Sequence, residues 1–137
     1  MRLDLTRRAD YAIRAVLALG RVPDGGRLSV RHVAAEQHIP APFLPPIMRD
    51  LVRAGLAQST TGRAGGYRLA RPAAEVSLLD IVDAVEGDRR RGTCILRDGP
   101  CAVSAVCDVH DVVVAAQESL RRRLAGVSVA DLMQPRT

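Results

Sequence analysis

Cys94, Cys101 and Cys107 are the three cysteines of this chain, and His110 follows the last of them, in the spacing C-x6-C-x5-C-x2-H. Thiolates are soft donors, so three of them in one segment with an imidazole close behind suit a soft metal or an iron-sulfur cluster. A Cys3His zinc site or free redox-active thiols fit the same residues. A nucleophilic Cys107–His110 pair would make a thiol enzyme, but nothing in the sequence resembles a substrate pocket or an oxyanion device to serve it. The odd number of thiols disfavours a disulfide scaffold.

These residues sit in a chain of 137 residues, 47% hydrophobic and 26% charged, which is about the size of one ordinary domain. That composition excludes a disordered acidic tail, and every apolar run is interrupted before it reaches membrane-spanning length. Asp4 stands where a signal peptide would begin its apolar stretch and Arg14 breaks the run that follows, so a cytoplasmic protein without a membrane partner is expected. The net charge is +5, and all twenty basic residues are arginine. Up to Glu75 there are twelve arginines against six acids; from Val76 onward there are eight against nine. The positive field therefore belongs to the first half, and a polyanion such as DNA is one class of partner for it.

The elements read as helices joined by short turns. Thr6 is a suitable N-cap for a first helix carrying Ala9, Ala12, Ile13, Val16 and Leu17 at helical spacing up to Gly20. Ser29 caps a short second helix with Val30, Val33 and Ala34 inward. After the break at Gln37-His38-Ile39-Pro40, a third helix carries the apolar stripe Phe43, Leu44, Ile47, Met48, Leu51 and Val52, ending at Gly55. Two helices joined by a tight turn make a helix-turn-helix, although any three-helix core would show the same stripe. Leu56–Thr60 and Tyr67–Leu69 read as two strands around Thr61-Gly62-Arg63-Ala64-Gly65-Gly66. Such a hairpin resembles a wing, with Arg63 suited to a narrow groove.

Ser77 and Asp80 form a capping-box signature that opens a fourth helix, running through Leu78, Leu79, Val82 and Val85 to Gly87. Ser104 is placed to cap a long last helix bearing Val109, Val112, Val113, Ala116, Leu120 and Leu124, with Arg121-Arg122-Arg123 in its final turns. On that helix Cys107 and His110 would share a face. A helix so apolar is expected to pack on a partner chain.

Together, Met1-Arg2-Leu3, Asp10-Tyr11-Ala12-Ile13-Arg14, the stretch TGRAGGYRLARPAAEVSLLDIVDAVEG, the three cysteines and Val129-Ala130-Asp131-Leu132 resemble the bacterial winged-helix iron-sulfur regulators typified by IscR and NsrR, a family that also contains iron-responsive and cysteine-metabolism regulators. The resemblance covers nearly the whole chain. It implies a mainly α fold with a small β-hairpin wing: a winged helix-turn-helix DNA-binding domain over 1–87, a cysteine-rich cluster-binding loop over 88–110, a dimerisation helix over 104–126 and a C-terminal tail over 127–137. It implies a homodimeric transcriptional regulator, with no catalytic turnover, that binds a pseudo-palindromic operator in double-stranded DNA. Its affinity would be switched by a 2Fe-2S or 4Fe-4S cluster responding to redox state, nitric oxide or iron. Ser29, Arg31, Phe43, Arg49, Arg53 and Arg63 are the candidate DNA contacts.

For the fourth cluster ligand the resemblance offers two residues. His110 matches the histidine that completes a 2Fe-2S site in IscR-like proteins. Asp10 matches the acid, supplied by the other subunit, that completes a 4Fe-4S site in NsrR-like proteins. Asp10 has an ordinary alternative in an ion pair with Arg7 or Arg14. The chain departs from the family at two places. Pro42, Pro45 and Pro46 crowd the start of the helix that would enter the major groove, so a late or irregular start is expected there. In the wing, Thr61 stands where relatives often carry arginine, and Arg63 lies two positions later.

Overall fold

The computed structural model describes residues 5–24, 26–62, 65–87 and 107–135, and the backbone alone at 93–94 and 99–100. Helix α1 (Arg7–Gly20) begins where expected, because Thr6 Oγ1 accepts a hydrogen bond from Ala9 N–H at 3.1 Å. Its inner face is Ala9, Ala12, Ala15, Val16, Ala18 and Leu19. The alanines let α4 (Leu78–Glu86) and α6 (Val129–Met133) lie against it. Helix α2 (Val30–Gln37) is capped by Ser29, and His38 ends it in the left-handed region at φ 53°. A non-glycine residue there costs about 1 kcal/mol. The strain is offset by a closed turn in which the N–H groups of His38 and Ile39 both donate to Ala34 O.

The third helix does start late. Pro40 and Pro42 hold Ala41–Phe43 in a 3-10 turn, and α3 runs only from Leu44 to Arg53. Leu44, Ile47, Met48 and Leu51 are its buried stripe, while Phe43 stays 48% exposed. Phe43 thus leaves the inward stripe expected of it, because the 3-10 turn rotates it off the α-helical face. It stacks edge-on against Tyr11, ring centroids 5.6 Å apart.

The wing is formed by β1 (Ala57–Thr60) and β2 (Gly66–Leu69), antiparallel, with Ala57 opposite Leu69 and Thr60 opposite Gly66. Leu28 and Tyr67 exchange backbone hydrogen bonds of 2.9 and 2.7 Å, which ties the entry to α2 to this hairpin. Gly66 is required there, since a Cβ would lie 2.7 Å from Leu28 O. After α4, opened by the Ser77–Asp80 capping box as expected, Thr93–Cys94 (β3) pairs with Gly99–Pro100 (β4). The last long helix, α5, runs from His110 to Ala125 with Val109 at its N-cap. Ser104, expected to cap this helix, lies outside the described residues.

The segment read as a tail returns to the core. Leu78 N–H donates to Val127 O and Val129 N–H to Val76 O. Val129 is fully buried, and Ser128 and Asp131 form a second capping box that starts α6. The expected apolar stripe of α5 divides. Val113 and Leu124 are half-buried on the side facing α4, whereas Val109, Val112, Ala116 and Leu120 are exposed. Among the described residues, no helix is long and apolar enough to cross a membrane.

Candidate nucleic-acid interface and cysteine segment

The outer face of the helix-turn-helix is assembled from residues the core does not use. Because Leu44, Ile47, Met48 and Leu51 are turned inward, Pro42, Pro45, Arg49 and Arg53 are turned out. Arg49 is exposed and, among the described residues, forms no ion pair. Arg53, with its side chain 74% exposed, lies 3.7 Å from Asp50. Asp50 is mainly engaged from behind, by a direct hydrogen-bonded ion pair with Arg8 of α1. At the start of α2, Ser29 Oγ accepts from His32 N–H at 3.1 Å and Arg31 is exposed. Arg63, the expected wing contact, lies outside the described residues. Ser29, Arg31, Arg49 and Arg53 thus share one exposed helix pair, bordered by Phe43 at the helix entry.

Asp10 adopts the ordinary arrangement considered for it, with Arg14 rather than Arg7: Arg14 Nη2 donates to Asp10 at 2.8 Å. The same guanidinium donates through Nη1 to Gln37 O at 2.7 Å, at the end of α2, and lies over the Tyr11 ring at 5.0 Å from its centroid. One exposed carboxylate is therefore linked through one arginine to the turn of the helix-turn-helix. Sequence spacing showed the Asp10–Arg14 pair but not its reach to Gln37. The Arg8–Asp50 bridge was missed altogether, because its partners are 42 positions apart and carry no local signal.

In the cysteine segment the β3–β4 ladder sets Cys94 opposite Gly99, and in sequence β4 runs directly into Cys101. The side chain of Cys94 and all of Cys101 lie outside the described residues. Cys107 is half-buried and precedes α5 rather than belonging to it. His110 N–H nevertheless donates to Cys107 O at 3.1 Å, so the two stand one turn apart. His110 is exposed. Among the described residues no three potential metal donors come together. Further along α5, Arg121 makes a two-pronged contact with Asp83 of α4, both bonds 3.0 Å, and this contact raises the Arg121 pKa above its ordinary value.

A short helix pair with a solvent-facing arginine surface, a hairpin wing and a long projecting helix define a winged-helix DNA-binding regulator. Residues 5–135 match the Rrf2 family, described as iron-dependent transcriptional regulators, and the chain belongs to that family. It is a family of transcriptional regulators and not of enzymes. The chain is 29% identical over 135 residues to the HTH-type transcriptional regulator NsrR of Geobacillus kaustophilus, covering 98% of this chain and 92% of that one. Its fold is shared with Staphylococcus aureus CymR in an oxidized form (TM-score 0.78, 20% identity, 98% and 99% covered). It is shared equally with T. potens IscR (TM-score 0.78, 24% identity, 96% and 86% covered).

Proposed function

We propose that this chain is a homodimeric repressor-type regulator, acting in the cytoplasm, whose grip on a pseudo-palindromic operator is switched by an iron-sulfur cluster on Cys94, Cys101 and Cys107. The observation that carries the reading is the junction at the end of α4: the chain passes from a winged helix with an arginine-bearing outer face straight into its three thiols. The donor set fits a cluster. Three soft ligands arise within one short segment, the ladder turns the Cys94 backbone toward the strand leading to Cys101, and Cys107 sits one turn from an exposed imidazole. When bound, the cluster would supply a group that redox state, nitric oxide or iron supply can alter. The exposed side of α5, with Val112 at 71% exposure, is the surface that a second copy would cover.

Both candidates for the fourth ligand have support. His110 is a local choice, one turn from Cys107. Asp10 would come from the partner subunit, and its release from Arg14 would loosen the Arg14 hold on Gln37 O, coupling the cluster to the helix-turn-helix. Asp10 suits a 4Fe-4S cluster and His110 a 2Fe-2S cluster. A second reading fits the same residues: free redox-active thiols that act without a metal, or a colourless zinc site in place of the cluster.

The test is the visible absorption spectrum of anaerobically isolated protein, with iron, sulfide and zinc counted on the same sample. A cluster gives colour that Cys94→Ala, Cys101→Ala and Cys107→Ala each bleach or destabilise. A colourless protein containing zinc or no metal overturns the cluster. Asp10→Ala and His110→Ala, compared for cluster type and lifetime, identify the fourth ligand; unchanged values in both exclude both. A dimer should footprint half-sites about 34–36 Å apart or a multiple of a helical turn. A monomer at micromolar concentration removes the dimeric reading.

A further inference from the structure

We infer that α3 reads bases through a single side chain, Arg49, and that its target is a guanine in the major groove. The inference rests on the DNA-binding reading above and adds to it what kind of sequence the helix can recognise.

The argument is a count of hydrogen-bonding groups on the outer face. A helix start ordinarily offers several free backbone N–H groups to a nucleic acid. Here Pro42, Pro45 and Pro46 have none. Phe43 N–H is used on Pro40 O and Leu44 N–H on Ala41 O. No free main-chain donor remains from 42 to 46, so over these five residues the backbone cannot clamp a phosphate or a base edge.

Side chains are as restricted. Between Ala41 and Arg53 the polar residues are Arg49, Asp50 and Arg53, with no Asn, Gln, Glu, Ser or Thr. The residue types that bind adenine through N6 and N7 are therefore missing from this helix. Asp50 could accept from cytosine N4, but its side chain is 20% exposed and its carboxylate is taken by Arg8. Arg53 is one helical turn, about 6 Å, further from the helix start. In a helix-turn-helix the early residues of the recognition helix meet base edges, which places Arg53 over the sugar-phosphate backbone. Arg49 remains: exposed, unpaired among the described residues, and of the type whose planar fork matches guanine O6 and N7. The exposed Ala41, Pro42 and Pro45 around it can offer only apolar contact, such as with a thymine methyl.

The test selects operators for the full-length protein from random double-stranded DNA, then measures the affinities of wild type, Arg49→Ala, Arg49→Lys and Arg53→Ala at several salt concentrations. The expected half-site contains one strongly selected guanine under α3. Arg49→Ala should lose about 5- to 150-fold on that operator and its preference at that position, with little change on random DNA; lysine should restore only part of it. Arg53→Ala should weaken all sequences alike and lower the salt dependence by about one ion. Replacing the guanine by 7-deazaguanine, which removes N7, should weaken wild type and leave Arg49→Ala unaffected, a readout that needs no altered protein fold. Equal weakening of selected and random DNA by Arg49→Ala, or no response of wild type to 7-deazaguanine, overturns the inference while sequence-specific binding stands. If wild type selects no sequence at all, the operator-binding reading falls with it.

Discussion

Glu86 is the last residue of α4, just before the chain enters the cysteine segment, and it holds the start of α1. Its carboxylate accepts hydrogen bonds from Thr6 N–H at 3.2 Å and from Thr6 Oγ1–H at 2.6 Å. That same oxygen is the N-cap acceptor for Ala9 N–H, so one hydroxyl closes a helix and fastens it to another. Hydrogen bonds to a charged acceptor contribute about 1.5–3 kcal/mol when buried, and partial exposure here puts the pair together near the low end. Glu86→Ala should therefore cost about 2 kcal/mol and Glu86→Gln, which keeps an acceptor, about 1 kcal/mol. Thr6→Ala loses the shared bond and also the cap, itself about 1 kcal/mol, for about 2–3 kcal/mol in all. Because both alanine substitutions delete the same bond, the double variant should be about 1 kcal/mol less destabilised than the sum. Urea unfolding followed by far-UV circular dichroism measures each difference, and in thermal unfolding 1 kcal/mol corresponds to about 3–5 °C at this size. A Glu86→Ala protein within about 0.5 kcal/mol of wild type, or strict additivity with Thr6→Ala, would refute the clamp.

Other perturbations have outcomes set by the same geometry. Leu51 is fully buried on α3, so Leu51→Ala should cost about 2–5 kcal/mol, and neighbouring half-buried Val52→Ala clearly less; equal losses in urea unfolding would contradict the packing. Arg121→Ala, by contrast, breaks an exposed pair with Asp83 and should cost at most about 1 kcal/mol, shrinking further in high salt. In the second capping box, the Ser128 backbone and then its side chain hold the Asp131 carboxyl below its ordinary pKa. Its stabilising contribution is thus full above the unfolded value near 4, roughly, and is lost as pH falls through the lower folded value. Asp131→Asn should remove that part of the acid dependence, read as unfolding midpoints across the acidic range.

Local signals were legible wherever the interacting residues are three or four positions apart. Thr6, Ser29 and the Ser77–Asp80 box marked helix starts because a cap bonds to an N–H within its own first turn. The same Ser-x-x-Asp spacing at Ser128 and Asp131 is the local signal for α6, and the reading of 127–137 as a tail passed over it. Phe43 was misplaced because hydrophobicity suggested a core position, whereas Pro40 and Pro42 set the backbone that carries it. The prolines themselves pointed correctly to a late helix start.

By itself the sequence determined the periods of the first four helices, the caps at Thr6, Ser29 and Ser77, the two strands of the wing, the positive first half and the thiol-rich second, because each is a property of neighbours along the chain. The tertiary structure decided which surfaces those elements keep for function. Arg8 reaches Asp50, Glu86 reaches Thr6 and Arg121 reaches Asp83, pairings over 42, 80 and 38 positions. No spacing rule specifies such pairs, since their distances depend on how α1, α3, α4 and α5 pack. That packing is also what leaves Arg49 facing outward with no ion-pair partner among the described residues while Asp50, the next residue, is held from behind.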